Sequence, residues 1–175
     1  MSPTRIMIIR HAEEHDVDGI TQDGRVDPQS LTVRGWQRAG ALVPFFCSGG
    51  RGVSTPDTIF ASAIAPGSQS RRPQQTVAPL HAVLKERGRV CYSEAFAKPD
   101  TSALMAEVMT QSGIVLIAWN HSRIADCVAA LPNPPQTPGK WPDDRYDLVW
   151  MLDHTDAGWN FCEVPQLLMA GDAAV

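Results

Sequence analysis

Ile6, Met7, Ile8 and Ile9 form an unbroken apolar run, and Arg10, His11, Ala12 and Glu13 follow it directly. Four large apolar side chains in succession leave no polar face, so the run reads as a strand buried on both sides of a parallel or mixed sheet. The longest such run, Gly113 to Trp119, is the best candidate for the central strand and ends in Asn120, His121 and Ser122. Strands buried on both faces need a covering layer on each side, which points to an α/β sandwich. In open sheets of that kind ligands sit beyond the carboxyl ends of the strands, where both polar trios fall.

The intervening segments supply the covering layers. Glu14 to Ser30 is polar, rich in Asp and Gly, and reads as a loop over the end of the sheet. Thr32 is a good N-cap for a helix whose stripe is Val33, Trp36, Leu42, Val43 and Phe46. Gly35 and Gly40 inside it each cost about 1 kcal/mol relative to alanine, which implies close packing against a neighbour. Gly49 to Gly52 ends the helix, and Thr58 to Ser62 is a short second strand. Ala63 to Ser70 leads into Arg71-Arg72-Pro73, where proline favours a helix start, and Thr76, Val77, Leu80, Val83 and Leu84 form the apolar face. A third strand is expected at Val90 to Tyr92. A third helix follows from Thr101 to about Gln111, with Leu104, Val108 and Met109 inward, and a fourth helix runs after His121 through Ile124, Val128 and Leu131. Pro132 to Asp144 is an irregular Pro-rich loop containing Trp141. Tyr146 to Leu152 and Trp159 to Val164 suggest a closing hairpin, and Ala170 to Val175 a frayed tail. This order predicts a three-layer α/β sandwich with a mostly parallel central sheet and helices on both faces. Residues 1–175 are expected to form a single domain.

The formal net charge of −4 argues against non-specific nucleic-acid binding, though it leaves room for one cationic pocket. Cys47, Cys91, Cys127 and Cys162 contain no C-x-x-C pair, so zinc and redox motifs have no support; all four are expected to be reduced core or half-buried thiols. Met1 to Arg5 has no long apolar segment, and no run approaches the roughly 20 residues of a membrane span. A cytoplasmic protein without membrane or nucleic-acid partners is expected. The oligomeric state stays open, with Trp150 and Trp159 as candidates for an interface.

Two histidines therefore leave two buried strands, with arginines near the first strand and the second helix. A neutral imidazole can attack phosphorus and form a phosphohistidine that water later cleaves. Arginine binds the transferring oxygens bidentately and stays charged at any working pH. Two His and two Arg thus suit phosphoryl transfer with no metal and no other cofactor. Taken singly, His121 also fits a core or capping role, and Arg72 a solvated surface charge.

The stretches taken together resemble the histidine phosphatase superfamily, also called phosphoglycerate mutase-like. Arg10-His11-Ala12-Glu13 matches its R-H-G/A-E signature, and Leu31 to Ala39 resembles its L-T-x-x-G-x-x-Q-A helix start. Arg72-Pro73-Gln74-Gln75-Thr76 resembles R-A-x-Q-T, and Ile117 to His121 resembles the strand ending in G-H. The resemblance spans residues 6 to about 131 and implies a phosphoglycerate mutase-like fold. It implies His11 as the phosphorylated nucleophile, Arg10 and Arg72 as phosphate ligands, and His121 as a hydrogen-bond donor or charge stabiliser. Glu13 would lie close to the bound phosphate, orienting the turn, whereas Arg71 would be solvated.

Departures bear on the chemistry. Asn120 stands for the glycine of G-H, Pro73 for an alanine, and Ser122 where an aspartate follows the second histidine. The link from Ser62 to Arg72 is longer than the usual one. Glu94, shortly after the third strand, is the nearest candidate for a general acid, although it equally fits a surface carboxylate. Asp126 would point along its helix. An alkoxide leaving group needs a positioned acid, whereas a phosphoramidate or an aryl phosphate manages without one. The reading that follows is a metal-independent phosphatase for a small phosphomonoester or a phosphohistidine protein, and the short chain resembles the small bacterial phosphohistidine phosphatases. A non-catalytic phosphate-binding module and a phosphomutase are the alternatives.

Overall fold

Successive residues of the first apolar run point to opposite faces of the sheet, and all four are fully buried. Ile6 and Ile8 enter one hydrophobic layer, while Met7 and Ile9 enter the other. The chain is described by a computed structural model covering residues 2–14, 17–88 and 90–174; residues 15 and 16 of the expected polar loop lie outside the described residues. Its strands are Arg5–Arg10 (β1), Thr58–Ala61 (β2), Cys91–Ser93 (β3), Ile114–Trp119 (β4), Leu148–Thr155 (β5) and Gly158–Pro165 (β6). Its helices are Val33–Ser48 (α1), Arg72–Glu86 (α2), Thr101–Val108 (α3) and His121–Ala129 (α4). The sheet runs β3-β2-β4-β1-β5-β6. β1 to β4 are mutually parallel, and the hairpin of β5 and β6 joins antiparallel beside β1. The two continuous apolar strands, β1 and β4, lie side by side at the centre, as their composition requires.

Helices α1 and α2 cover one face with Leu42, Phe46, Val77, Leu80 and Leu84. On the other face α3 and α4 pack Leu104, Val108, Ile124 and Val128 against a tryptophan cluster. The rings of Trp141 and Trp150 lie 5.4 Å apart, and Trp150 meets Phe161 edge-on at 5.3 Å. Trp141 anchors the Pro-rich loop to the core and donates its indole N–H to the Arg145 carbonyl.

Several expectations need correction. Trp150 and Trp159 are core residues, so neither offers an interface. α3 stops at Val108, three residues before Gln111. Cys91 and Cys162 are exposed because each lies on an edge strand of the sheet. Val33 is exposed, and the inward stripe of α1 is Gly35, Arg38, Ala39, Leu42, Phe45 and Phe46. The tail is tied down rather than frayed. The Asp172 carboxylate lies 2.7 Å from Arg38 and accepts from the Leu168 and Met169 amides, while the Ala173 amide donates to Asp147. No helix among the described residues is long and apolar enough to cross a membrane.

Candidate active site

Because β1 and β4 pair in parallel with Arg10 opposite Trp119, their polar trios emerge side by side at one rim of the sheet. The His11 amide continues the ladder to the Trp119 carbonyl at 3.0 Å. Each motif residue then has a mechanical task. Thr76 Oγ1 accepts from the Ala12 amide at 2.8 Å and donates to the Arg72 carbonyl at 2.7 Å, tying α2 to the turn after β1. Gln75 accepts from the Leu31 amide at 2.8 Å and donates to Ser30 Oγ. Thr32 caps α1 through the Gly35 amide, and its own amide and hydroxyl both donate to the Glu13 carbonyl at 3.1 Å. His121 opens α4 behind Asn120, whose side chain accepts from the Ser122 amide as an N-cap, a task glycine cannot perform.

Four of the expected side chains meet at that rim. His11 is fully buried, with Nδ1 2.9 Å from the Ala12 carbonyl. That contact assigns the hydrogen to Nδ1 and leaves a lone pair on Nε2. Nε2 has no hydrogen-bond partner among the described residues and faces Glu14 Oε1 at 3.6 Å. The Glu14 carboxylate also lies 2.6 Å from Arg72 Nη1 and 3.3 Å from Arg10 Nη2. Ligand atoms of His11, Glu14 and His121 all lie within 4.8 Å of one another. One carboxylate therefore sits in the grip of two guanidiniums, between two imidazoles.

The guanidiniums are held from behind. Arg10 donates to the Asp143 carbonyl and, at 2.9 Å, to the Tyr146 hydroxyl, with its guanidinium 3.8 Å from the centre of the Tyr146 ring. Arg72 donates to the carbonyls of Ser30 and Pro28. Burial pushes the His11 imidazole down to about 4, against the opposing pull of Glu14, so the ring is neutral at neutral pH. His121 is also lowered, first by burial and then by Arg10. Burial pushes the Tyr146 phenol up to about 12, so it stays protonated. The His11, Glu14 and His121 trio has the spacing of a metal site, but Arg10 and Arg72 place two positive charges on the same carboxylate. That field opposes a cation and suits an anion.

The structure does not bring Glu13 and Glu94 to this point. Glu13 turns away beneath α1. There Arg38 contacts its carboxylate at 2.8 to 3.1 Å and Arg34 lies at 3.4 Å, so it braces the turn and does not reach the anion. Glu94 is exposed in a separate groove of about 610 Å³ shared with Trp36 and His81, and it accepts from the Tyr92 hydroxyl. The cause is topological: Glu94 follows the edge strand β3, and β2 and β4 intervene before β1. Asp126 pairs with Arg123 on the exposed side of α4. Arg71 is largely solvated beside Asp27.

Three groups at the site carry no sequence signal that singled them out. Glu14 is simply the residue after the motif, Asp143 lies in an irregular loop, and Tyr146 precedes β5. Arg38 is different, because a charge at the centre of an apolar helical stripe announces a buried ion pair.

No family model and no curated protein sequence matches the chain. Among solved structures, the candidate phosphohistidine phosphatase SixA from Agrobacterium tumefaciens superposes with a TM-score of 0.51 at 19% identity, over 91% of this chain and 95% of its own. The candidate alpha-ribazole-5'-P phosphatase from Escherichia coli K-12 gives 0.51 at 13% identity, over 95% of this chain and 100% of its own. The likeness runs through nearly the whole of each chain and includes the mixed sheet with helices on both faces. At the level of architecture the expectation holds: the chain has the phosphoglycerate mutase-like fold.

Proposed function

We propose that this chain is a phosphatase that works through a phosphohistidine on His11, without a metal ion or other cofactor. The observation that carries this reading is the convergence of Arg10, Arg72, His11 and His121 on one anionic group, with the bare Nε2 of His11 facing it. In the proposed reaction a phosphoryl group takes the place of the Glu14 carboxylate. Arg10 and Arg72 pair with its equatorial oxygens, and His121 donates to one of them. His11 Nε2 attacks phosphorus, and the Ala12 carbonyl holding Nδ1–H stabilises the ring as it gains positive charge. Water then cleaves the N–P bond and frees phosphate.

The substrate class is a small phosphomonoester or a protein phosphohistidine. Both solved structures of like fold carry names of phosphatases, one acting on phosphohistidine and one on a ribazole phosphate, which supports this choice. The test is turnover of an aryl phosphate in EDTA, with an acid-labile phosphoenzyme on brief mixing. His11→Ala is expected to lose at least about 1,000-fold in kcat, the usual scale for removing a nucleophile. Undiminished turnover in that variant, or dependence on added metal, overturns the reading. Free phosphate as the sole product separates a phosphatase from a mutase.

A further inference from the structure

We propose that Glu14 is the proton carrier of this site: the incoming phosphoryl group displaces its carboxylate from Arg10 and Arg72, and it then protonates the leaving group. The inference rests on the phosphatase reading and adds to it the missing acid.

The geometry starts from competition for one volume. Attack needs phosphorus about 3–3.5 Å from the nucleophile, and Glu14 Oε1 already lies 3.6 Å from His11 Nε2. Substrate and carboxylate cannot occupy that place together. The cations cannot serve both in the same way either. Arg72 Nε and Nη2 are committed to Ser30 and Pro28, so Nη1, which donates to Ser70 Oγ at 3.3 Å and lies 2.6 Å from Glu14, is its anion-facing group. Arg10 Nη1 is committed to Asp143, and its Nη2 faces Glu14 and Tyr146.

Displacement changes the chemistry of the carboxyl group. Beside two guanidiniums the charged form is favoured; beside a phosphoryl anion that has taken those guanidiniums, the protonated form is favoured. Binding of a dianion is therefore coupled to uptake of one proton, and the group carrying it stays tethered three residues from the nucleophile. The other ionisable groups facing Glu14 are less suited. His11 is the nucleophile, His121 is lowered by burial and by Arg10, the Tyr146 phenol is too weak an acid, and Asp143 is largely exposed and paired with Lys140. Glu13 is taken by Arg38.

The steps balance. The lone pair of His11 Nε2 forms the N–P bond as the P–O bond to the leaving group breaks. The departing oxygen keeps that electron pair and takes the Glu14 proton. In the second step the Glu14 carboxylate removes a proton from water while the water oxygen bonds to phosphorus. The N–P electron pair returns to Nε2, and Glu14 holds the proton until phosphate leaves, releasing it as its carboxylate returns to Arg10 and Arg72.

The test compares an alkyl with an aryl phosphate in the wild-type protein and in Glu14→Gln and Glu14→Ala. A poor alkoxide leaving group depends on the acid far more than a phenolate does. The alkyl-to-aryl ratio of kcat/KM is therefore expected to fall about 100-fold or more in both variants. Calorimetric titration with inorganic phosphate at about pH 8, in two buffers of different ionisation heat, is expected to show uptake of about one proton by the wild type and almost none by Glu14→Gln. An unchanged ratio with wild-type proton uptake overturns the proposal. So does a variant that merely binds phosphate more tightly, which would make Glu14 a competitor and nothing more. A wild-type protein that forms phosphoenzyme while the variants keep its ratio sinks this inference alone. One that turns over neither ester sinks the phosphatase reading with it.

Discussion

Gly35 has no side chain where α1 passes the turn after β1, and this absence sets the distance between them. A Cβ built there would lie 2.7 Å from the Glu13 carbonyl oxygen and 3.1 Å from its amide nitrogen, backbone atoms that cannot swing aside. Gly35→Ala must therefore push the turn bearing His11 outward. A shift near 1 Å costs on the order of 100-fold in rate, so kcat/KM for an aryl phosphate is expected to fall by at least about 10-fold. Gly40, with nothing within 4 Å of its virtual Cβ, is the control. Gly40→Ala is expected to leave kinetics alone and stabilise the fold by up to about 1 kcal/mol, read in denaturant melts. The two glycines look alike in the sequence, where both imply close packing; only Gly35 has it. His11 gives a second residue-scale prediction. Its imidazole titrates at about 4 in the folded protein, so the acid limb of kcat/KM should have its midpoint near pH 4 rather than at the ordinary histidine value of about 6.5. The sign follows from the nucleophile: protonation removes the Nε2 lone pair, so activity falls as pH falls.

Helix α1 carries a buried charge in its inward stripe, and that charge joins three distant parts of the chain. Arg38 holds Glu13 from the turn after β1, Asp172 from the tail and the Gln166 side chain after β6. Burial alone would lower the Arg38 guanidinium, but its hydrogen bonds to Asp172 and Glu13 outweigh that and hold it above its ordinary value. Burial would likewise raise the Asp172 carboxyl; Arg38 and the Leu168 and Met169 amides hold it below the usual range. Asp172→Ala leaves a buried guanidinium short of one partner and is expected to cost about 3 kcal/mol in chemical denaturation. Its pH signature is fixed as well. The Asp172 contribution is complete above the unfolded carboxylate value of about 3.9 and is lost as pH falls below it, so Asp172→Asn should flatten the acid side of the stability profile. At the other histidine, Asn120→Ala removes the cap of α4 and is expected to cost about 1 kcal/mol. The start of α1 is readable from Thr32. Its inward face is not, because Val33 looks more buriable than Arg38 and an ion pair completed 134 residues later leaves no local trace.

For the molecule as a whole, hydrophobic pattern was enough to place the layers. The apolar runs became the two central strands, and the alternation of strands with helical stripes became cover on both faces. The meeting of Arg10, His11, Arg72 and His121 can be anticipated because a shared sheet rim follows from parallel pairing and each residue ends, directly follows or opens an element. Strand order cannot. Glu94 fits an acid by sequence position alone, but β3 takes the sheet edge; Glu14 carries no local signal, because its contacts depend on where its carboxylate falls relative to two arginines. The tail shows the same limit, since small and polar residues suggest fraying unless a distant charge receives them. That distant charge also imposes an order on biosynthesis. Glu13 and Arg38 leave the ribosome early, yet Asp172 follows Arg38 by 134 residues. At about 5–20 residues per second the nascent turn waits on the order of ten seconds for its last brace. The turn that bears His11 is thus fully braced only after the six strands of its sheet have all been synthesised.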